Sequence, residues 1–259
     1  MLSRLLGVSQ PFHGEIPGKA QEYCTSFLFD SRKSPGFDRI MLCGPSASGK
    51  TSLLFELALS FAEEEKHVLY ICPKRLSKLP LLANGRTQPS SETLRFIQMV
   101  YLETKEDYLN YMASIHFSTS RKFSSIIVDD LSAYLPATIR NEDLSSVAKL
   151  FALTVDAFVF QRSKHVTQPS DEPSGMLVMS TKVPNGTKSV PRQSFYERWI
   201  QCFLLIQKKE NELLELSVLP SNAKDGASLA VVVFKLTDQS FLVQEIEQLS
   251  QSKSVSLTQ

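Results

Sequence analysis

The segment Gly44-Pro45-Ser46-Ala47-Ser48-Gly49-Lys50-Thr51 stands between the apolar run Ile40-Met41-Leu42-Cys43 and a stretch, Ser52 to Phe61, in which Leu53, Leu54, Leu57, Ala58 and Phe61 recur at helical spacing. No other part of the chain narrows its fold as far. A buried strand must run into a glycine-containing turn and directly into a helix. The first N–H groups of a helix have no intrahelical partners and carry partial positive charge, and the glycines let the backbone approach a ligand closely. The segment therefore reads as a phosphate-binding loop. In that reading Gly44, Pro45, Ser46, Ala47, Ser48 and Gly49 cradle nucleotide phosphates, Lys50 reaches the β- and γ-phosphates, and the Thr51 hydroxyl ligates Mg²⁺. The expected ligands are ATP and Mg²⁺.

The chain has 259 residues, 42% of them hydrophobic, enough to bury a sizeable core as one α/β domain with a short extension. Its formal net charge of +1 gives no global sign of nucleic-acid binding, so any such contact needs a local basic patch. Cys24, Cys43, Cys72 and Cys202 are too scattered for a zinc knuckle or a disulfide framework and read as reduced core residues. Met1 to Val8 is apolar but too short for a signal peptide or a membrane span, so a soluble protein without membrane contact is expected.

From Asp38 onward short apolar runs alternate with helical stretches, which predicts a mostly parallel, twisted sheet flanked by helices. Expected strands are His67–Cys72, Leu94–Leu102, Ser125–Asp129 and Met176–Ser180, then a hairpin of Ile200–Gln207 with Leu213–Leu219, and edge strands at Ala230–Phe234 and Phe241–Val243. Between the second and third strands, Pro73 to Glu92 suggests a long excursion. Expected helices run from Glu106 to about Phe117, with Tyr108, Tyr111, Met112 and Ile115 on one face, and onward from a cap at Asn141-Glu142-Asp143. The second helix carries a stripe of Leu144, Val147, Ala148, Phe151, Val155, Phe158 and Val159. Residues 1–35 read as an extension, 36–249 as the domain and 250–259 as a disordered tail.

The second chemical element is Ile126-Ile127-Val128-Asp129-Asp130, an apolar strand ending in two carboxylates. In an open α/β sheet the ligand lies beyond the C-terminal strand ends, so Asp129 can face the loop of Lys50 and hold Mg²⁺ through water. Asp130 reads equally as a base that activates water or as a turn cap.

The loop, the Ile126–Asp129 strand, a strand leading into Ser180-Thr181-Lys182-Val183 and a hairpin led by Trp199 occur in an order that resembles the ATPase core of RecA-like recombinases and their paralogues. The resemblance spans roughly residues 36 to 245. The compact form, without a helix-hairpin-helix domain, is most similar to the ATPase subunit of the metazoan Shu complex. It implies a nuclear, DNA-stimulated ATPase that binds single-stranded DNA, pairs with a zinc-binding SWIM-domain protein, and works with recombinases or recombinase paralogues in homologous-recombination repair of double-strand breaks. The sequence departs from the family at two positions. The place of the water-polarising glutamate after the second strand is taken by Lys74, and that of a γ-phosphate-sensing glutamine by Lys182. Weak hydrolysis is therefore expected, with Asp130 as the available substitute base.

In this family DNA is bound by the loop after the fifth strand, here Lys182 to Ser194, which carries the cations Lys182, Lys188 and Arg192 and no acid. Phe195 and Tyr196 read either as base-stacking groups or as core, and Lys74, Arg75 and Lys78 form a second basic cluster. The recombinase linking motif Phe-x-x-Ala is matched by Phe55-Glu56-Leu57-Ala58, which lies inside the loop helix and reads as core. Leu2, Leu5, Leu6 and Phe27-Leu28-Phe29 are candidates for a partner surface. Two further classes remain open, a non-hydrolysing ATP-binding adaptor that stabilises a partner and, without an arginine-rich lid to support it, a small-molecule kinase.

Overall fold

A computed structural model describes Arg4 and residues 37–117, 122–136, 139–165, 175–221 and 230–248. Ten strands form one sheet: β1 (Arg39–Gly44), β2 (Val68–Cys72), β3 (Leu82–Ala83), β4 (Ile97–Tyr101), β5 (Ser125–Val128), β6 (Leu177–Lys182), β7 (Cys202–Lys208), β8 (Leu213–Pro220), β9 (Ala230–Leu236) and β10 (Ser240–Gln248). Their order is β3-β10-β9-β8-β7-β1-β6-β5-β2-β4. Strands β4, β2, β5, β6, β1 and β7 pair in parallel, and β7 to β10 continue as an antiparallel meander. The helices are α1 (Lys50–Ala62), α2 (Ser91–Leu94), α3 (Lys105–Ser114), α4 (Leu144–Ser163) and α5 (Gln193–Tyr196).

Side chains alternate across a strand, so each central strand feeds two cores. Ile40 and Leu42 of β1, with Val68, Tyr70 and Cys72 of β2, face α1, whereas Met41, Cys43, Leu69 and Ile71 join the cluster containing α3 and α4. Helix α1 is buried at every position from Ser52 to Ala62 because the sheet covers one side and the excursion after β2 covers the other. Full burial of Leu53, Leu54, Leu57 and Leu59 stabilises this packing by about 1.5–3 kcal/mol per side chain. Phe55 and Ala58 are among these buried residues, as expected of core.

One ion cluster pins the excursion to α1. Glu56 is 0% exposed, accepts from the Ala83 N–H at 3.2 Å and pairs with Arg86 at 2.6 Å, while Arg86 also reaches Glu63 at 2.8 Å. Burial pushes the Glu56 carboxyl up and Arg86 opposes that shift. Arg86→Ala strands a buried carboxylate and is expected to lower stability by about 3 kcal/mol or more in urea denaturation, with Glu56→Gln in the same background recovering part of the loss. A melt that is insensitive to Arg86→Ala would remove this cluster from the account.

The elements differ from the sequence expectations in several places. Strand β4 starts at Ile97, since Ser90 accepts from the Thr93 N–H at 3.1 Å and draws Leu94 into α2. Asn141–Asp143 forms a separate 3-10 turn, with Asp143 accepting from the Arg140 N–H at 2.8 Å, before α4 begins. On α4 the buried face is Val147, Leu150, Phe151, Thr154, Ala157, Phe158 and Gln161, while Val159, one position past that face, is 55% exposed. Strand β6 runs on to Lys182 because β1 continues beside it, Cys43 opposite Thr181 and Gly44 opposite Lys182.

The late strands are longer than expected and sit inside the meander, and β3 supplies that edge of the sheet. Cys43, Cys72 and Cys202 are buried free thiols, each pushed up to about 12 by burial. Among the described residues no helix is long and apolar enough to cross a membrane. Arg4 pairs with Glu64 at 2.7 Å and stacks over Phe61. The remaining candidates of the extension (Leu2, Leu5, Leu6, Cys24 and Phe27 to Phe29) and the tail 250–259 lie outside the described residues.

Candidate nucleotide-binding site

Strand β1 ends at Gly44, and the loop turns into α1 through left-handed backbone at Ala47 (φ 55°) and Gly49 (φ 77°). A Cβ at Gly49 would stand 2.9 Å from Leu236 Cδ2, and one at Gly44 would stand 2.8 Å from Ser48 Oγ and 3.0 Å from Ile206 Cβ. The positive φ favours glycine at position 49, and at position 44 a side chain would crowd Ser48 and Ile206. Gly49 is the N-cap residue of α1 and no side chain caps the helix, which leaves its N-terminal N–H groups to an anion. The loop wraps Lys50: its Nζ donates to Gly44 O at 2.8 Å and to Pro45 O at 2.6 Å, and Ser48 Oγ also donates to Pro45 O, at 2.8 Å.

Asp129 follows β5 and is 5% exposed. Tyr70 OH donates to its Oδ2 at 3.1 Å and Ser180 Oγ to its Oδ1 at 3.0 Å, and the Thr51 hydroxyl makes a further hydrogen bond. Burial raises the Asp129 carboxyl, and the three hydroxyls oppose the rise. Lys50 is lowered by burial, against which the carboxylates of Asp130 and Asp129 act. The strand register explains the convergence: Val128 lies level with Ile71 on β2 and Met179 on β6, so the ends of three strands deliver Tyr70, Asp129 and Ser180 to one point facing α1.

The donor set fits Mg²⁺, a hard cation that takes oxygen ligands and is commonly bound by one or two protein oxygens together with substrate phosphates. Thr51 and Asp129 would hold it. Among the described residues there is no cluster of three or more His, Cys, Asp or Glu side chains that would form an all-protein metal cage.

Asp130 has left-handed backbone (φ 72°), fixed by its N–H donating to Ser180 Oγ at 2.9 Å. It precedes a 3-10 turn, Leu131–Ala133, but its side chain does not cap that turn, which removes the cap reading. Its carboxylate instead pairs with Lys182 Nζ at 2.5 Å. Lys74 is exposed, two residues beyond the end of β2.

The basic loop after β6 is anchored along its length. The Val183 N–H donates to Gly44 O at 3.1 Å, Gln207 donates to Thr187 O at 2.8 Å, and an Arg192 guanidinium nitrogen donates to Ile139 O at 2.8 Å. Lys188 is exposed and makes no ion pair or hydrogen bond among the described residues. Tyr196 packs on Phe151 with ring centroids 5.0 Å apart, and Phe195 on Trp199 at 5.4 Å, so these rings belong to the core side of the loop.

Sequence reasoning left Tyr70 and Ser180 without a role, although both hold Asp129. The only signals were a tyrosine inside an apolar strand and a serine at a strand end, and these become meaningful once the register is known. The Lys182–Asp130 pair was likewise unforeseen, each residue having been read separately.

A parallel core closed by an antiparallel meander, with a phosphate loop at β1 and a carboxylate at the end of β5, is the fold of a RecA-like P-loop protein. No protein-family model matches the chain. In sequence the chain is similar to the ATPase SWSAP1 of Homo sapiens, 26% identical over 168 residues that span 64% of this chain and 70% of that relative. In structure it is similar to the RadB recombinase, with a TM-score of 0.52 over 80% of this chain and 92% of that one, at 16% identity. The chain thus has a RecA-like fold and resembles the ATPase SWSAP1 in sequence.

Proposed function

We propose that this chain is an ATPase subunit of a heteromeric complex that acts on single-stranded DNA in homologous-recombination repair of double-strand breaks. One observation carries the reading: Lys50 and Thr51 of the glycine loop meet Asp129, which is distant in sequence, at the mouth of that loop in a RecA-like fold. The similarity to a named ATPase supports it.

In the mechanism the loop N–H groups and Lys50 bind and orient the phosphates, since phosphoryl transfer depends on positioning and charge stabilisation. Thr51 and Asp129 would hold Mg²⁺, which when bound would supply positive charge against the developing negative charge. Asp130 is the nearby carboxylate able to accept the proton of an attacking water. With Lys74 at the place of the usual glutamate and Lys182 holding Asp130, turnover is expected to be weak. That ion pair also favours a second reading, an adaptor that binds ATP without hydrolysing it and stabilises a partner.

The partners under this proposal are single-stranded DNA, a SWIM-domain zinc-binding protein and recombinases or their paralogues, in the nucleus. Measuring ATP turnover with and without single-stranded DNA, on protein co-purified with its partner, decides between the two readings. Stimulation by DNA supports the ATPase, whereas ATP binding without turnover in either condition supports the adaptor.

For the DNA contact, Lys182, Lys188 and Arg192 together would contribute a slope of roughly −2 to log affinity against log salt, about 0.7 for each phosphate contact. Lys188, exposed and without a partner among the described residues, is the cleanest test. Lys188→Ala should reduce the slope by about 0.7, equally for different oligonucleotide sequences, because backbone contacts carry no base information. A slope identical to wild type would exclude Lys188 from the interface.

A further inference from the structure

Lys182 and Gly44 face each other across the β6–β1 pair, which fixes the last residue of β6 beside the first residue of the phosphate loop. The Gly44 carbonyl accepts from both Lys50 Nζ and the Val183 N–H, so one peptide group ties the loop lysine to the segment that carries Lys182. Asp130, Asp129 and Lys182, two carboxylates and a second ammonium, all act electrostatically on Lys50 at the strand ends where a nucleotide's phosphates would lie.

Within this group Asp130 is the fixed member. Its backbone is held in a left-handed conformation by Ser180, and one carboxylate oxygen meets Lys182 at 2.5 Å while the other is buried without a hydrogen-bond partner. Lys182 is the movable member. Its side chain is 52% exposed and borders a cavity of about 550 Å³, so it has room to change rotamer. Its own N–H donates to Ser132 Oγ at 2.7 Å, which keeps the backbone in place while the side chain swings.

We propose that Asp130 and the terminal phosphate of a bound nucleoside triphosphate compete for Lys182, and that this exchange makes the site prefer triphosphate to diphosphate. The inference rests on the nucleotide-binding reading above. A terminal phosphate offers several charged oxygens where Asp130 offers one carboxylate edge, and charge-assisted hydrogen bonds to phosphate are among the stronger ones. A diphosphate lacks that terminal group, so with it bound Lys182 would stay paired with Asp130. Lys182 then works as an ammonium shared between an internal anion and the nucleotide, with its release from Asp130 marking the triphosphate state.

The test is equilibrium binding of a non-hydrolysable ATP analogue and of ADP, both with Mg²⁺, to the wild type, Lys182→Met, Lys182→Arg, Asp130→Asn and the Lys182→Met/Asp130→Asn double variant. Lys182→Met should weaken the analogue about tenfold and leave ADP within about twofold, and Lys182→Arg should restore much of the preference. Asp130→Asn removes the competing anion and should tighten the analogue severalfold. In the double variant that gain should vanish, a non-additivity expected only if the two residues act on each other. The latch is overturned if Lys182→Met weakens both nucleotides equally, or if Asp130→Asn has the same effect with and without Lys182. A wild type that binds neither nucleotide would overturn the nucleotide-binding reading and the latch with it. Binding of both nucleotides with an unchanged preference in Lys182→Met overturns the latch alone.

Discussion

Lys50→Ala is expected to lower ATP turnover by at least about 1,000-fold, because catalysis of phosphoryl transfer is mostly electrostatic positioning and this ammonium is the loop's only cation. The residue is 7% exposed and donates to Gly44 O and Pro45 O, so its removal empties the centre around which the loop is wrapped. The fold should survive, since the burial of an ammonium offsets part of what its hydrogen bonds contribute. Phosphate release by the purified variant, with a thermal melt as control for folding, checks this. Turnover equal to wild type in a folded sample rejects the proposed site.

Asp129→Asn should cut turnover by about 100-fold or more and abolish the tightening of ATP binding by Mg²⁺, since a neutral amide is a poor ligand for a hard cation. Asn keeps the shape and one oxygen able to accept from Tyr70 or Ser180. Its effect on stability has the opposite sign. Burial raises the Asp129 carboxyl, so the folded state retains a proton at pH values where the unfolded chain has released it. Stability from this site is therefore greatest below the ordinary carboxylate range and declines as pH rises toward the raised folded value. Asn is spared that decline, and the variant should melt no lower than wild type at pH 7. Nucleotide binding that still responds to Mg²⁺ in the variant would remove Asp129 from the metal site.

How much of this protein was legible in its sequence depends on the range of the interaction concerned. Periodicity places β2, β5, α3 and the β7–β8 hairpin to within a few residues, because strand and helix patterns are written in neighbouring side chains. The strand-glycine-loop-helix unit at Gly44 to Thr51 is local in the same sense, and its glycine at position 49 permits the left-handed turn found there. The apolar run before Asp129 gave its position at a strand end for the same reason.

What is not local could not be read. Nothing in the vicinity of Val159 says which side of α4 meets the sheet, and it is exposed because the face is set by packing against α3 and the strands. Leu94 was claimed by a serine-capped turn, a competition between a strand and a hydrogen bond of a single hydroxyl.

The sequence by itself determined a phosphate loop on a strand, a carboxylate at the end of another strand, and a mostly parallel α/β architecture. Tertiary structure alone decided that Tyr70, Ser180 and Thr51 surround Asp129, that Arg86 neutralises Glu56, and that Lys182 reaches Asp130 across 52 positions of chain. The physical reason is register. Parallel strands joined by long crossovers are aligned by the packing of two whole cores, and no residue's neighbours in sequence encode which partner it will meet across the sheet.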